Sequence, residues 1–200
     1  MEWKHALANF LLVPLFATLE EDIMKPFALL ADRPARWNSP MRWKRRFELV
    51  AGEDTYAAME FEKACGTLVV ARTLAQAWTL STEGSWDGQV SVRDAIRGDE
   101  LAAFHGDWRG GGRVERAAGR GFVWSGANPW MTRWVFRSGS GAPLVEFRLD
   151  AMRLVPSGIV RFEPGVAETD DAPLLAVLGW YLALQAFEQA EFGTTVAAGS

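Results

Sequence analysis

The C-terminal part of the chain contains a predicted helix that is apolar on every side. Residues 172–191 read APLLAVLGWYLALQAFEQAE, and from Ala172 to Leu184 the only polar side-chain group is the hydroxyl of Tyr181. A helix that lies on the surface of a domain has a polar stripe opposite its apolar one, whereas a helix that is apolar all round has to be enclosed. The rest of the chain, or a partner subunit, must therefore cover this helix.

The residues at both ends of this segment indicate where the helix begins and ends. Asp171 precedes it and suits a helix N-terminus, and Pro173 falls in the first turn, where the missing N–H costs no hydrogen bond. Glu188 returns the chain to water. The sequence therefore predicts a helix over about residues 171–190, followed by a flexible tail over 192–200.

Most of the chain before this helix alternates between apolar and polar residues with a period of two, which is typical of half-buried strands. Between about Arg42 and Glu163 the pattern occurs in RRFELV, YAAMEFEK, QVSVRD, TRWVFR, PLVEFRL and GIVRFE. Turn signals, such as the three glycines at 110–112, separate the strands. We therefore expect a mainly β fold, a closed antiparallel barrel of about 10–12 strands that encloses the helix. A sandwich whose last helix docks in an oligomer interface is the alternative.

Residues 1–41 have a different pattern. Ala6 to Leu19 is almost entirely apolar, but it is shorter than the about 20 residues that span a bilayer, and it lacks the basic start and cleavage site of a secretory signal. Prolines interrupt the rest of this segment, and ARWNSP at 35–40 is typical of a loop. The expected organisation is a short helical and irregular segment over 1–41 that packs on a barrel over 42–191, with no transmembrane segment.

Composition and charge limit the classes of function. The chain has 200 residues, of which 49% are apolar and 23% charged, as in an ordinary single globular domain. Its formal charge of −4 argues against a general nucleic-acid partner. The single cysteine, Cys65, allows no internal disulfide and is consistent with a reducing compartment. We expect a cytoplasmic protein.

These features together resemble the tubby C-terminal-like superfamily, which includes phospholipid scramblases, plant LURP-one-related proteins and small bacterial members. The resemblance rests on the meander of amphipathic strands and on LLAVLGWYLALQ, WTLSTEGSWDGQVSVRD and WMTRWVFRSGSGAPLVEFR, and it covers roughly Arg42 to Phe187. It implies a twelve-stranded barrel around a hydrophobic C-terminal helix. For tubby domains it also implies phosphoinositide binding through basic residues. The calcium-binding, proline-rich and palmitoylated-cysteine features of some scramblases have no counterpart here, so lipid translocation is not expected.

Basic and tryptophan side chains alternate in the segment RPARWNSPMRWKRRF, which contains no acidic residue. Near an anionic membrane each such cation contributes about 1 kcal/mol, and indole rings favour the level of the head groups. The candidate site for anionic lipid or phosphate consists of Arg33, Arg36, Trp37, Arg42, Trp43, Lys44, Arg45 and Arg46. The alternative interpretation is a solvated strand edge whose arginines pair with Glu48, Glu60 or Glu62.

The sequence contains no recognisable catalytic constellation. His5 and His105 are the only histidines, and although Asp107 lies near His105, one such pair makes no site without a nucleophile or a further ligand. We therefore predict no catalytic residue, no metal and no cofactor. The expected function is a binding or scaffold module, cytoplasmic or attached to the membrane periphery, whose partner is an anionic membrane surface or another protein. The alternatives are a lipocalin-like barrel for a small apolar ligand, with the helix outside, and an enzyme with an unrecognised site.

Overall fold

A computed structural model describes the chain over residues 24–31, 33–41, 44–63, 66–83, 88–107, 110–117, 119–130, 132–150 and 155–197. The side chains of Glu83 and of residues 190–197 are outside this description. The predictions for residues 1–23, for Arg42 and Trp43 of the candidate site, and for Cys65 therefore fall outside the described residues.

Twelve antiparallel strands follow one another around a closed barrel, and one helix, α1 (Ala172–Ala197), comes after them. The predicted fold class is confirmed. The strands are β1 (Ala35–Asn38), β2 (Arg46–Ala51), β3 (Asp54–Phe61), β4 (Val69–Thr73), β5 (Ala77–Glu83), β6 (Gln89–Asp94), β7 (Glu100–Gly106), β8 (Gly112–Arg116), β9 (Gly121–Gly126), β10 (Arg133–Ser138), β11 (Pro143–Asp150) and β12 (Ser157–Phe162).

The period-two pattern of the sequence places the apolar side chains inside the barrel. In β11, Val145, Phe147 and Leu149 are buried, and Glu146 and Arg148 alternate with them on the outside. Successive side chains of a strand point to opposite faces, so one face of each strand lines the core while the other meets water. The outer surface is consequently built from alternate residues of neighbouring strands, which are far apart in sequence.

The first strand closes the barrel, and here the sequence-based expectation of a loop at Ala35–Pro40 was wrong. β1 pairs with β12 through Ala35 opposite Val160, and with β2 through Trp37 opposite Leu49. Its inward side chains, Ala35 and Trp37, are fully covered. The prolines only delimit this short strand, because Pro34 precedes it and Pro40 comes after it. The barrel therefore begins at Ala35 rather than at residue 42.

Helix α1 runs through the interior of the barrel, as its apolar sequence requires. The ring of Trp180 stacks on Trp37 of β1, with centroids 5.9 Å apart, and meets Phe47 of β2 edge-on at 5.8 Å. On another side of the helix, a Cβ atom added to Gly179 would lie 2.3 Å from Phe147 of β11. The hydroxyl of Tyr181 lies 3.0 Å from Thr82 Oγ1 of β5, a strand six places from β11 in the twelve-strand barrel, so strands on opposite sides contact the same part of α1. The helix extends to Ala197, beyond the predicted end at about residue 190.

The two ends of the barrel differ in their relation to α1. At the upper end the helix begins, and the buried carboxylate of Asp171 forms ion pairs with Arg116 and Arg120. At the lower end the helix emerges, and Glu188 pairs with Arg45. In an antiparallel meander the connections alternate between the two ends. The connections that come after the odd-numbered strands therefore lie at the lower end.

Residues 24–31 pack on the upper end of the barrel. A single 3-10 turn at Phe27–Leu30 buries Phe27 and Leu30. The ring of Phe27 meets Tyr56 and Phe162 edge-on, with centroids 6.3 and 6.0 Å apart. This turn covers inward side chains at the rim that the barrel would otherwise expose to water.

Candidate anion-binding surface

The fold distributes the predicted basic segment over several parts of the barrel surface. Arg33 precedes β1 at the upper end, Arg36 lies on the outer face of β1, and Lys44 and Arg45 lie in the connection to β2 at the lower end. Strand β1 runs between the two ends, so the cations on either side of it are held apart by its length. The five predicted cations that the structure describes therefore do not form one surface.

Three of the predicted cations have partners on the barrel itself. Arg33 donates a hydrogen bond from Nη2 to the hydroxyl of Tyr56 at 2.7 Å. The guanidinium of Arg45 lies over the ring of Phe61 at 3.7 Å, in addition to its pair with Glu188. Arg46, which is only 8% exposed, pairs with Glu48 at 2.6 Å. The pairing of Arg46 with Glu48 agrees with the alternative interpretation, but Arg46 is buried in a closed barrel rather than solvated at a strand edge.

Trp37 does not belong to the basic surface, contrary to the sequence prediction. Its side chain points into the barrel, is 0% exposed and stacks on Trp180 of α1. The reason is the period of two, since in β1 a tryptophan next to the outward Arg36 must point inward. Lys44 is exposed at the lower end.

Arg36 instead belongs to a cluster that the sequence analysis did not identify. Across β10, β11, β12 and β1 the register places Arg133 opposite Arg148, Arg148 opposite Ile159, and Ile159 opposite Arg36. Arg161 comes two residues after Ile159 on the same face. We call this surface the arginine face, and it consists of Arg36, Arg133, Glu146, Arg148, Ile159 and Arg161.

The arginine face carries a surplus of positive charge on a chain that is acidic overall. The outward positions of β10, β11, β12 and β1 hold five arginines, the four of the arginine face and Arg137, against the two acids Glu146 and Asp150. Glu146 accepts two hydrogen bonds from Arg133, at 3.0 and 2.6 Å. Among the described residues, Arg36, Arg148 and Arg161 have no acidic partner. These guanidinium groups can therefore bind an external anion without first breaking an ion pair.

A shallow depression lies within the arginine face. It has a volume of about 140 Å³ and is lined by Arg133, Glu146, Arg148, Ile159 and Arg161. One water molecule needs about 10–15 Å³, so the depression has room for a phosphate group. Planar guanidinium groups bind phosphate oxygens through paired hydrogen bonds, which makes arginine well suited to this ligand.

The sequence did contain a signal for the residues that were missed. Arg133, Arg148 and Arg161 each occupy an outward position in a strand that the alternation had predicted correctly. The alternation does not give the register between those strands or the closure of the barrel by β1. These two features bring Arg148 and Arg36 to either side of Ile159. A charge cluster on a sheet is a property of cross-strand neighbours, and a search along the chain does not detect it.

A second depression, of about 570 Å³, lies on the outer surface of β7, β8 and β9. His105, Asp107, Arg113 and Glu115 contribute to its lining, and Asp107 accepts a hydrogen bond from the backbone N–H of Gly111 at 3.0 Å. Over the described parts of the chain, no three histidine, cysteine, aspartate or glutamate side chains are grouped so as to hold a metal ion. His105 and Asp107 thus line this depression together with one basic residue, Arg113, and one acidic residue, Glu115.

Comparison of the chain with protein-family models, with curated proteins and with solved structures finds no match. Of the helical residues that the structure describes, none belong to a helix with the length and apolar character needed to cross a membrane.

Proposed function

We propose that this chain is a non-enzymatic binding module whose arginine face binds anionic phosphate groups. The observation that carries the proposal is the set of three outward arginines, Arg36, Arg148 and Arg161, that surround Ile159 without an acidic partner among the described residues. The depression lined by Arg148 and Arg161, together with Arg133, Glu146 and Ile159, offers space for the anion. A contribution of Arg42, Trp43 and Lys44 stays a prediction.

Membership in the tubby C-terminal-like superfamily forms part of the proposal. The resemblance implied a twelve-stranded barrel around a hydrophobic C-terminal helix, and the chain has this architecture. A fold can host unrelated functions, so the proposed function depends on the arginine face and not on the barrel as such. Attachment to the cytoplasmic side of a membrane is the location that this function suggests.

The alternative of a small apolar ligand inside the barrel required the helix to lie outside. Instead, α1 occupies the interior, where Leu178 and Tyr181 are 0% exposed. The space that such a ligand would take is filled by side chains of the helix. The arginine face is therefore the better candidate for a binding surface.

The test is co-sedimentation with vesicles of phosphatidylcholine alone and of an equal mixture of phosphatidylcholine and phosphatidylserine, at low and high salt. The native chain should bind the anionic vesicles only, and salt should weaken the binding because it screens exposed charges. Removal of two cations in Arg148→Gln/Arg161→Gln should weaken it by at least about tenfold, at about 1 kcal/mol for each cation.

The matched control removes two exposed arginines elsewhere. In Arg97→Gln/Arg113→Gln the same number of charges is lost from the connection after β6 and from β8. If this control weakens binding as much as the first variant, the effect is one of net charge and the arginine face is not the site. Titration of both variants with inositol hexakisphosphate shows whether a soluble phosphate is bound at the same place.

A further inference from the structure

Trp130 is a large apolar side chain that the fold leaves in water. It lies in the connection between β9 and β10 and is 82% exposed. The indole of tryptophan is apolar over most of its surface and has one polar N–H, and therefore it favours a boundary between water and an apolar phase. The other tryptophans that the structure describes, such as Trp37, Trp134 and Trp180, are buried.

The connection that carries Trp130 is held by hydrogen bonds. The side-chain oxygen of Asn128 accepts bonds from the backbone N–H groups of Thr132 and Arg133, at 3.1 and 3.0 Å. Its side-chain nitrogen donates to Thr132 Oγ1 at 2.8 Å, and the N–H of Ala127 donates to the carbonyl of Arg133 at 2.7 Å. These bonds fix the loop on both sides of Trp130, so the indole is presented outward from an ordered turn.

Trp130 is a neighbour of the arginine face. It precedes Arg133, the first residue of β10, by only three positions, which limits the distance between their Cα atoms to about 11 Å. Arg133 and Arg148 lie directly opposite each other at the lower end of β10 and β11. The exposed indole and the positive surplus therefore belong to one region of the barrel.

We propose that Trp130 anchors the barrel on an anionic lipid bilayer, with its indole at the level of the head groups while the arginine face contacts their phosphates. This proposal rests on the proposed function and names the source of the phosphate. A soluble phosphate compound would satisfy the arginines but would leave the indole in water. A bilayer satisfies both, because aromatic rings favour its interface and its anionic lipids attract cations.

The charge next to each exposed apolar side chain distinguishes Trp130 from Ile96. Ile96, at the upper end between β6 and β7, is 85% exposed. It lies between Asp94 and Asp99, which share one cation, Arg97, at 3.4 and 3.5 Å, and backbone N–H groups of Arg97 and Ile96 hold the pKa of Asp94 below its usual range. An anionic bilayer would repel the net negative charge that remains. The charges thus favour contact of the lower end, and not the upper end, with the membrane.

The test compares Trp130→Ala, Trp130→Phe and Ile96→Ala in the same vesicle assay. Trp130→Ala should weaken binding to the phosphatidylserine vesicles by about tenfold, because most of the indole's apolar area is then missing from the interface. Trp130→Phe should recover part of the affinity, and Ile96→Ala should bind as the native chain does. Since Trp130 is 82% exposed and Ile96 is 85% exposed, all three variants should have native thermal stability.

The outcomes separate this proposal from the proposed function. Loss of vesicle binding in Trp130→Ala, with unchanged binding of inositol hexakisphosphate, supports a bilayer anchor. Native vesicle binding in Trp130→Ala, or an equal loss in Ile96→Ala, overturns the anchor and leaves the arginine face as a phosphate site. A native chain that binds neither anionic vesicles nor inositol hexakisphosphate overturns the proposed function, and the anchor with it.

Discussion

At the scale of single residues, Tyr181 shows how a polar group is accommodated in an apolar core. Its side chain is 0% exposed, and its hydroxyl donates to the carbonyl of Thr67 at 2.7 Å and lies 3.0 Å from Thr82 Oγ1. A buried hydroxyl without partners would cost free energy, so these bonds are what allows a tyrosine at this position. Burial raises the pKa of Tyr181 to about 12, because the charged form is poorly solvated there.

This pKa predicts a specific effect of alkaline pH. In the unfolded chain tyrosine has a pKa near 10, so between about pH 10 and 12 the unfolded state loses the proton while the folded state keeps it. The free energy of unfolding is therefore unaffected by this group below about pH 10 and decreases as the pH rises to 12, by about 2 kcal/mol.

Comparison with Tyr181→Phe isolates this contribution. At pH 8 the variant should be less stable than the native chain by about 2 kcal/mol, since it lacks two hydrogen bonds at about 1 kcal/mol each. Near pH 12 this difference should be close to zero, because only the native chain has lost the contribution of Tyr181. Urea denaturation at both pH values measures the difference, and a difference that does not change between them would show that Tyr181 ionises equally in both states.

At the scale of elements, the contact between α1 and the strands β10 and β11 depends on Gly179. A Cβ atom there would lie 2.3 Å from Phe147 and 2.9 Å from Phe136, and both rings are at most 1% exposed. Glycine lowers helix stability by about 1 kcal/mol relative to alanine. Its position in the middle of α1 therefore reflects the need for a close approach rather than helix propensity.

The variant Gly179→Ala should accordingly be less stable, although alanine is the better helix former. Overpacking of a filled core costs about 1–3 kcal/mol, which exceeds the gain in propensity. The control is Gly139→Ala in the turn after β10, where an added Cβ meets nothing closer than 4.0 Å. Thermal unfolding should show a lower Tm for Gly179→Ala only, and a raised Tm would mean that the two rings have room to move.

The elements themselves were largely accessible from sequence, because each depends on a local period. The alternation in TRWVFR and PLVEFRL predicted β10 and β11, and the apolar run after Asp171 predicted α1. The alternation located six of the twelve strands, and at β1 a loop was expected instead, because its four residues are too few to show a period between Pro34 and Pro40. Its formation depends on pairing with β2 and β12, and this information is not local.

At the scale of the whole molecule, one helix supplies the centre of the only large core cluster that the structure describes. Residues of all twelve strands contribute to this cluster, and α1 contributes residues from Ala172 to Leu184. The fold of the whole barrel therefore depends on the apolar character of α1. The candidate site depends on the same closure, because the arginine face spans the junction between β12 and β1.

A charge inside α1 should consequently prevent folding of the entire barrel. In Leu178→Lys an ammonium group would replace a side chain that is 0% exposed and would have no partner there. The protein should be insoluble on expression, whereas Gln189→Lys, at an exposed position of the same helix, should remain soluble. Soluble and folded Leu178→Lys protein would contradict the enclosure of α1.

The arginine face shows why the site was less predictable than the fold. Alternation gives the side of each strand that faces water, and this much was available from sequence for Arg133 and Arg148. Their proximity to Arg36 depends on a pairing between the first strand and the last. The cluster of basic residues in RPARWNSPMRWKRRF did not predict a surface, because residues on either side of β1 lie at opposite ends of the barrel and Trp37 points inward.

The position of α1 after all twelve strands has a consequence for biosynthesis. A ribosome makes the chain from its N-terminus, so every strand has left the exit tunnel before the helix that fills the barrel is available. Until then the inner faces of the strands, with side chains such as Phe47 and Phe147, have nothing to pack around. The nascent chain therefore passes through a stage with exposed apolar strand faces, to which chaperones can bind. It can complete folding only after α1 has been synthesised.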